Sequence, residues 1–190
     1  MGNVMDYLEW RGDLTFDQSP FNDVDNVILS QLAYVNFRDV IPSVQMNKGI
    51  TLKAAAQLFF DLHTEEELMQ DKSFIKDAPK LLKKAAQTNR FRDVILSDYV
   101  DMVDETLEKQ FGAFHIKLSP QCTYVAFRGT DDTLVGWKED FNMSFISPVP
   151  SQEDAVKYLD DTCSYIRGKL YVGGNSKELL PIYHSAKIYS

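Results

Sequence analysis

The sequence of 190 residues has few cysteines, few histidines and no long apolar stretch, and each shortage excludes a class of protein. No apolar run approaches the roughly 20 residues that a membrane-spanning helix needs. The first residues have neither the basic segment nor the apolar core of a signal peptide. The two cysteines, Cys122 and Cys163, lack metal-ligand spacing, so reduced thiols are favoured over a disulfide. We therefore expect a cytoplasmic protein without a membrane span.

Basic residues are also in deficit, since Lys and Arg total 20 against 28 Asp and Glu, for a formal net charge of -8. An acidic surface repels phosphate backbones, so nucleic acid is not an expected partner. The adjacent carboxylates Asp131 and Asp132 have no further oxygen ligands at a regular spacing, and we expect no metal and no other cofactor. Apolar residues make up 44% of the chain, which is enough for a sizeable core.

The periodicity of the apolar residues changes near Phe91. Before it, apolar residues recur at helical spacing in segments that begin near Asp23, Thr51 and Asp77. After it, apolar and polar residues alternate or form short apolar runs, which predict strands. The predicted strands lie near 93–102, 109–118, 122–128 and 169–173, and an amphipathic helix capped by Ser151 is predicted over 152–167. Strands and helices in alternation indicate an α/β fold with a mainly parallel sheet and flanking helices.

The last predicted strand runs into Gly174-Asn175-Ser176, which matches the first half of a nucleophile elbow. Such a serine stands at the tip of a sharp turn from strand to helix, and a glycine two residues earlier avoids a clash with the incoming helix. The helix N-terminus offers free N–H groups to a developing oxyanion. The full pattern is Gly-x-Ser-x-Gly, whereas this sequence has Glu178 at the fifth position. Alone, Gly-x-Ser also fits an ordinary turn.

A second segment favours the elbow. The stretch from Tyr124 to Thr130, YVAFRGT, is followed by Trp137-Lys138-Glu139-Asp140-Phe141. This order resembles the class 3 (fungal-type) lipase family, in which a strand ends in Phe-Arg-Gly-Thr/Ser and a Trp-x-x-Asp segment follows. The elbow of that family comes after a further helix and strand. The sequence resembles still more closely an uncharacterised bacterial family of lipase-like hydrolases, from GDLTF at 12–16 up to Lys177.

The resemblance implies a serine hydrolase that cleaves carboxylic esters, of small molecules or lipids, through an acyl-enzyme. Ser176 would be the nucleophile, and the backbone N–H groups of Thr130 and Lys177 would form the oxyanion hole. Supporting positions would be Arg128, Gly129, Trp137, Asp140 and Gly174. Several alternatives stay open: Arg128 could hold the Thr130 loop or form an ordinary ion pair, Trp137 could belong to a lid or the core, and Asp140 could brace the loop or be solvated.

The catalytic acid and histidine of α/β-hydrolases follow the serine in the chain. Beyond Lys177 the sequence departs from the resemblance, and His184 would lie too far along a helix to act as the base. His63 and His115 precede the serine and are expected to be ordinary surface or core histidines. We therefore expect residues 1–190 to form one incomplete α/β-hydrolase domain, truncated or frameshifted after the nucleophile motif and inactive. Its parts would be a helical section over 1–90, a sheet core over 91–177 and a divergent tail over 178–190. The alternative is a non-catalytic remnant or interaction module, and the oligomeric state is not predicted.

Overall fold

The structure is a computed structural model that describes residues 3–44, 48–70, 77–104, 109–128 and 150–174. Within these ranges a five-stranded sheet is combined with six helices, which confirms the α/β class. The helices are α1 (Val4–Arg11), α2 (Asp23–Leu32), α3 (Leu52–Leu62), α4 (Glu65–Gln70), α5 (Ala78–Ala85) and α6 (Pro150–Cys163). The strands are β1 (Ile50–Thr51), β2 (Ile95–Asp104), β3 (Lys109–Ser119), β4 (Cys122–Arg128) and β5 (Lys169–Gly174).

The strands lie in the sheet in chain order, from β1 to β5. The four strands predicted from the sequence share this sheet, as expected. The expectation of a mainly parallel sheet is wrong, because β1 to β4 pair antiparallel and only β4 and β5 pair parallel. The reason is the length of the connections. Only Pro120 and Gln121 join β3 to β4, and a parallel pair needs a crossover of about a dozen residues or more.

The helices of the first half cover one face of the sheet. Their buried side chains form one cluster with Phe37, which follows α2, and with residues that β3 and β4 present on that face. The cluster includes Leu29, Leu52, Phe59, Phe114, Ile116 and Tyr124. The sequence explains where these helices begin. Thr51 caps α3 through its hydroxyl, and Pro79 lies in the first turn of α5, where its missing N–H is harmless.

Helix α6 covers the opposite face of the sheet. Ala155, Tyr158 and Leu159 pack against Phe111 and Phe127. The prediction that Ser151 caps this helix is wrong, because the helix already begins at Pro150. At 14 residues α6 is the longest helix described, and none of the described helices is long and apolar enough to cross a membrane.

The first helical segment was predicted to begin near Asp23, yet α1 already precedes it, capped by Asn3. A fully buried ion pair between Arg90 and Asp25 holds this region together. Asp25 also belongs to the capping box of α2, in which its carboxylate accepts from the backbone N–H of Asn22. The Arg90 guanidinium donates to the backbone carbonyls of Leu14, Ser19 and Pro20. One side chain therefore fixes the segment that connects α1 to α2.

Candidate nucleophile and oxyanion site

The two parallel strands end side by side, with Phe127 of β4 opposite Gly174 of β5. The carboxyl ends of parallel strands are where α/β proteins place their sites. Of the residues predicted for the site, the structure describes Arg128 and Gly174. The others lie outside the described residues: Gly129, Thr130, Trp137, Asp140, Ser176 and Lys177.

Gly174 lies closer to β4 than any residue with a side chain could. A Cβ atom built on it would be 2.5 Å from the carbonyl oxygen of Phe127. The sequence predicted a glycine here because of a helix that follows the serine. The contact in the structure is instead with the neighbouring strand, and it allows β5 to end directly against β4.

The neighbouring residue Gly173 also has no room for a side chain. Its missing side chain leaves space for the Tyr124 hydroxyl and for the Asn26 side chain. Tyr124 donates to Asn26 Oδ1 at 2.9 Å, and burial raises the pKa of Tyr124, so the phenol stays protonated and able to donate. This hydrogen bond ties α2 to β4, directly beside Gly173 of β5. Asn26 was missed in the sequence, where it appears only as a polar residue of an amphipathic helix.

Arg128, the last residue of β4, is anchored across the sheet. Its side chain passes over Gly112 of β3, where an added Cβ would be 3.2 Å from the Arg128 Cβ. Its Nη2 atom donates to Asp101 Oδ1 of β2 at 2.5 Å. The two side chains are only 11% and 8% exposed, so this pair is less screened than a surface ion pair. Of the two roles considered for Arg128, the ion pair is therefore present, and it fixes the residue that precedes Gly129.

The two histidines that the structure describes are engaged elsewhere. The His63 ring packs against Phe59, with 4.7 Å between ring centroids. His115 is 3% exposed, and its Nε2 lies 3.0 Å from the Thr162 hydroxyl. Burial lowers the pKa of His115 to about 4, although the nearby Asp98 carboxylate acts in the opposite direction. The imidazole is therefore neutral at pH values near 7.

The cysteines do not add a nucleophile. Cys122 and Cys163 are both free thiols, and burial raises the pKa of Cys163 to about 11, which keeps it protonated near neutral pH. In the described part of the chain, no three His, Cys, Asp or Glu side chains are grouped so as to hold a metal ion.

Comparison with known families finds a match to a lipase-like family. The family is Mbeg1-like, and its model matches residues 85–188. Because this match covers more than half of the 190 residues, the chain belongs to the Mbeg1-like family. No curated protein and no solved structure matches the chain.

The family match corrects the assignment made from the motifs. Neither the class 3 lipase family nor the uncharacterised bacterial family is the one found. The proposed break after Lys177 is also wrong, because the match continues to residue 188. Short motifs such as YVAFRGT and Gly-x-Ser specify a local backbone geometry and its chemistry, and this is too little to separate related families.

Proposed function

We propose that this protein is a serine hydrolase that cleaves carboxylic esters of small molecules or lipids. Ser176 is the proposed nucleophile, and the backbone N–H groups of Thr130 and Lys177 are the proposed oxyanion hole. The parallel pairing of β4 and β5 supports this assignment. Thr130 follows Phe127 by three residues and Ser176 follows Gly174 by two. Segments this short reach at most about 11 Å, and they start from strands about 4.8 Å apart.

In the proposed reaction the Ser176 oxygen attacks the ester carbonyl and its proton passes to a general base. The carbonyl oxygen becomes an oxyanion held by the two N–H groups, the alcohol leaves, and water then hydrolyses the acyl-enzyme. No residue of the chain is assigned as the base, because His115 is held by Thr162 and His184 is expected to lie too far along the chain from Ser176. Arg128 acts as a positioning residue for the Thr130 loop, which Gly129 allows to turn. Asp140 is proposed to brace that loop, and Trp137 to cover it.

A cross-linking experiment tests the proposed geometry independently of catalysis. Thr130→Cys and Ser176→Cys are combined in a chain whose native thiols are removed by Cys122→Ala and Cys163→Ala. A short bifunctional thiol reagent is expected to link the two new cysteines within one chain, as seen by intact mass and peptide mapping. The matched control is Gln121→Cys with Ser176→Cys, because Gln121 precedes β4, about 20 Å from its far end. Equal cross-linking in both pairs would contradict the proposed site.

Covalent labelling tests the nucleophile. A fluorophosphonate should modify Ser176, with loss of fluoride, and added imidazole should accelerate the reaction by accepting the serine proton. An oxyanion hole without its triad retains a rate roughly 10³ to 10⁴ over water. The adduct is measured by mass spectrometry and should be absent from Ser176→Ala, while Ser164→Ala, which removes an exposed serine after α6, should be labelled normally. If Ser176 stays unmodified with and without imidazole, the protein is a non-catalytic module.

A further inference from the structure

A cavity lies at the other end of β4 from Gly174. Its volume is about 290 Å³, and it is bordered by Pro120 and Thr123 at the start of β4 and by Ile166 and Arg167 before β5. It contains no residue of the proposed hydrolase site. Its chemistry is therefore independent of ester hydrolysis.

The wall of the cavity carries a constrained carboxylate. Asp98 has a φ of 58°, a left-handed conformation that is uncommon for any residue other than glycine. It lies at an irregularity of β2, where the pairing with β3 shifts between Ser97 and Val100. Its two carboxylate oxygens accept from Ser97 Oγ at 2.6 Å and from the Tyr165 hydroxyl at 2.9 Å. These contacts fix the position of the carboxylate, and a strained backbone of this kind is often found at binding sites.

The hydrogen bonds of His115 decide which of its nitrogens carries the proton. The Thr162 hydroxyl donates to the Tyr158 carbonyl at 2.6 Å, so it accepts from the N–H of His115 Nε2. In the neutral ring Nδ1 is then an acceptor, and it lies 3.7 Å from Asp98 Oδ2. His115 and Asp98 both line the cavity. A donor nitrogen between them can lie about 2.9 Å from each, and an ammonium group has donors for both.

The rim of the cavity has the opposite charge. Lys48, Lys117 and Arg167 are exposed and contribute to its lining. Among the described residues, no acidic side chain forms a salt bridge with any of the three, although the net charge of the chain is -8. Three cations around one opening favour the binding of a carboxylate or phosphate group.

We propose that this cavity binds a small zwitterion whose ammonium group contacts Asp98 and His115 and whose carboxylate or phosphate group contacts Lys48, Lys117 and Arg167. The proposal requires both charges on one ligand. An anion alone would be repelled by Asp98, and a cation alone by the rim. Binding should therefore depend on the two ends of the ligand together.

Calorimetric titration with four probes tests this requirement. O-phosphoethanolamine and β-alanine carry both charges, whereas inorganic phosphate and ethylamine carry one each. Because each single ion lacks the charge-assisted hydrogen bonds of the other end, at least one zwitterion should bind about tenfold or more tightly than either single ion. Comparison of O-phosphoethanolamine with β-alanine shows whether phosphate or carboxylate is preferred. The His115 imidazole resonances should shift on binding.

Variants of the rim test where the anionic end of the ligand binds. Lys117→Gln and Arg167→Gln change exposed residues and should each weaken zwitterion binding by about tenfold. Lys157→Gln changes an exposed lysine of α6 outside the cavity lining and should leave binding unchanged. Two outcomes would overturn the proposal: inorganic phosphate binding as tightly as the zwitterions, which indicates a simple anion site, or no shift of the His115 resonances with any probe.

Discussion

Replacing Arg90 with methionine is expected to lower the free energy of unfolding by about 3–5 kcal/mol, the usual effect of breaking a buried ion pair. The side chains of Arg90 and Asp25 are both fully buried, so the variant leaves an unpaired carboxylate in the core. It also removes the donors to the carbonyls of Leu14, Ser19 and Pro20. Urea denaturation followed by circular dichroism measures the change.

The matched control is Arg92→Met, because Arg92 lies two residues away and its side chain is 45% exposed. We expect this control to change stability by less than about 1 kcal/mol. Asp25→Leu combined with Arg90→Met removes both charges and should recover only part of the loss, since the three carbonyls still lack their donor. A loss in Arg90→Met no larger than that in Arg92→Met would show that the buried pair does not hold the α1–α2 segment.

Acidification from pH 6.5 to about 4 should destabilise the folded protein through His115, whose pKa burial lowers to about 4 from 6.5. Within this window the unfolded chain binds a proton that the folded chain does not, so the free energy of unfolding falls as the pH falls. The full shift corresponds to roughly 3 kcal/mol at most. The part of the unfolding free energy that depends on a neutral His115 is fully present above pH 6.5 and is lost as the pH approaches 4.

The measurement is the unfolding free energy of the wild type and of His115→Gln across this pH range. Because carboxylates also titrate here, the informative quantity is the difference between the two proteins. The variant should show a shallower slope than the wild type across this range. Identical slopes for the wild type and His115→Gln would mean that burial does not disfavour the charged imidazole.

The elements were largely predictable because their signals are local. Thr51 and Pro79 mark helix starts through their own backbone chemistry, and the alternation of polarity located β2 and β3. The antiparallel pairing of β3 and β4 was also predictable from the sequence, because the short turn at Pro120 does not allow a parallel pair. Helix α1 was missed because its eight residues are too few to show a clear helical periodicity. Its capping box at Asn3 was the signal that could have revealed it.

The supports of the candidate site were not predictable in the same way. Gly174 and Arg128 were identified from a motif, but the residues that hold them follow from strand register. Asp101 lies 27 positions before Arg128 and Asn26 lies 98 positions before Tyr124. The same applies to Asp25 and Arg90, which are 65 positions apart. Nothing in the local sequence of either partner identifies the other.

The end of β4 is held by close backbone approaches on both sides. Arg128 faces Gly112 on one neighbouring strand and Phe127 faces Gly174 on the other. A Cβ at Gly174 would clash with the Phe127 backbone, and a Cβ at Gly112 would press against the Arg128 side chain. Each glycine is therefore in register with one particular β4 residue, and the two β4 residues are adjacent. A one-residue insertion within β4 would slide both positions past their glycines at once and exchange the two faces of the strand beyond it. Length variation in this part of the protein should therefore be confined to its loops, while β4 keeps a constant length.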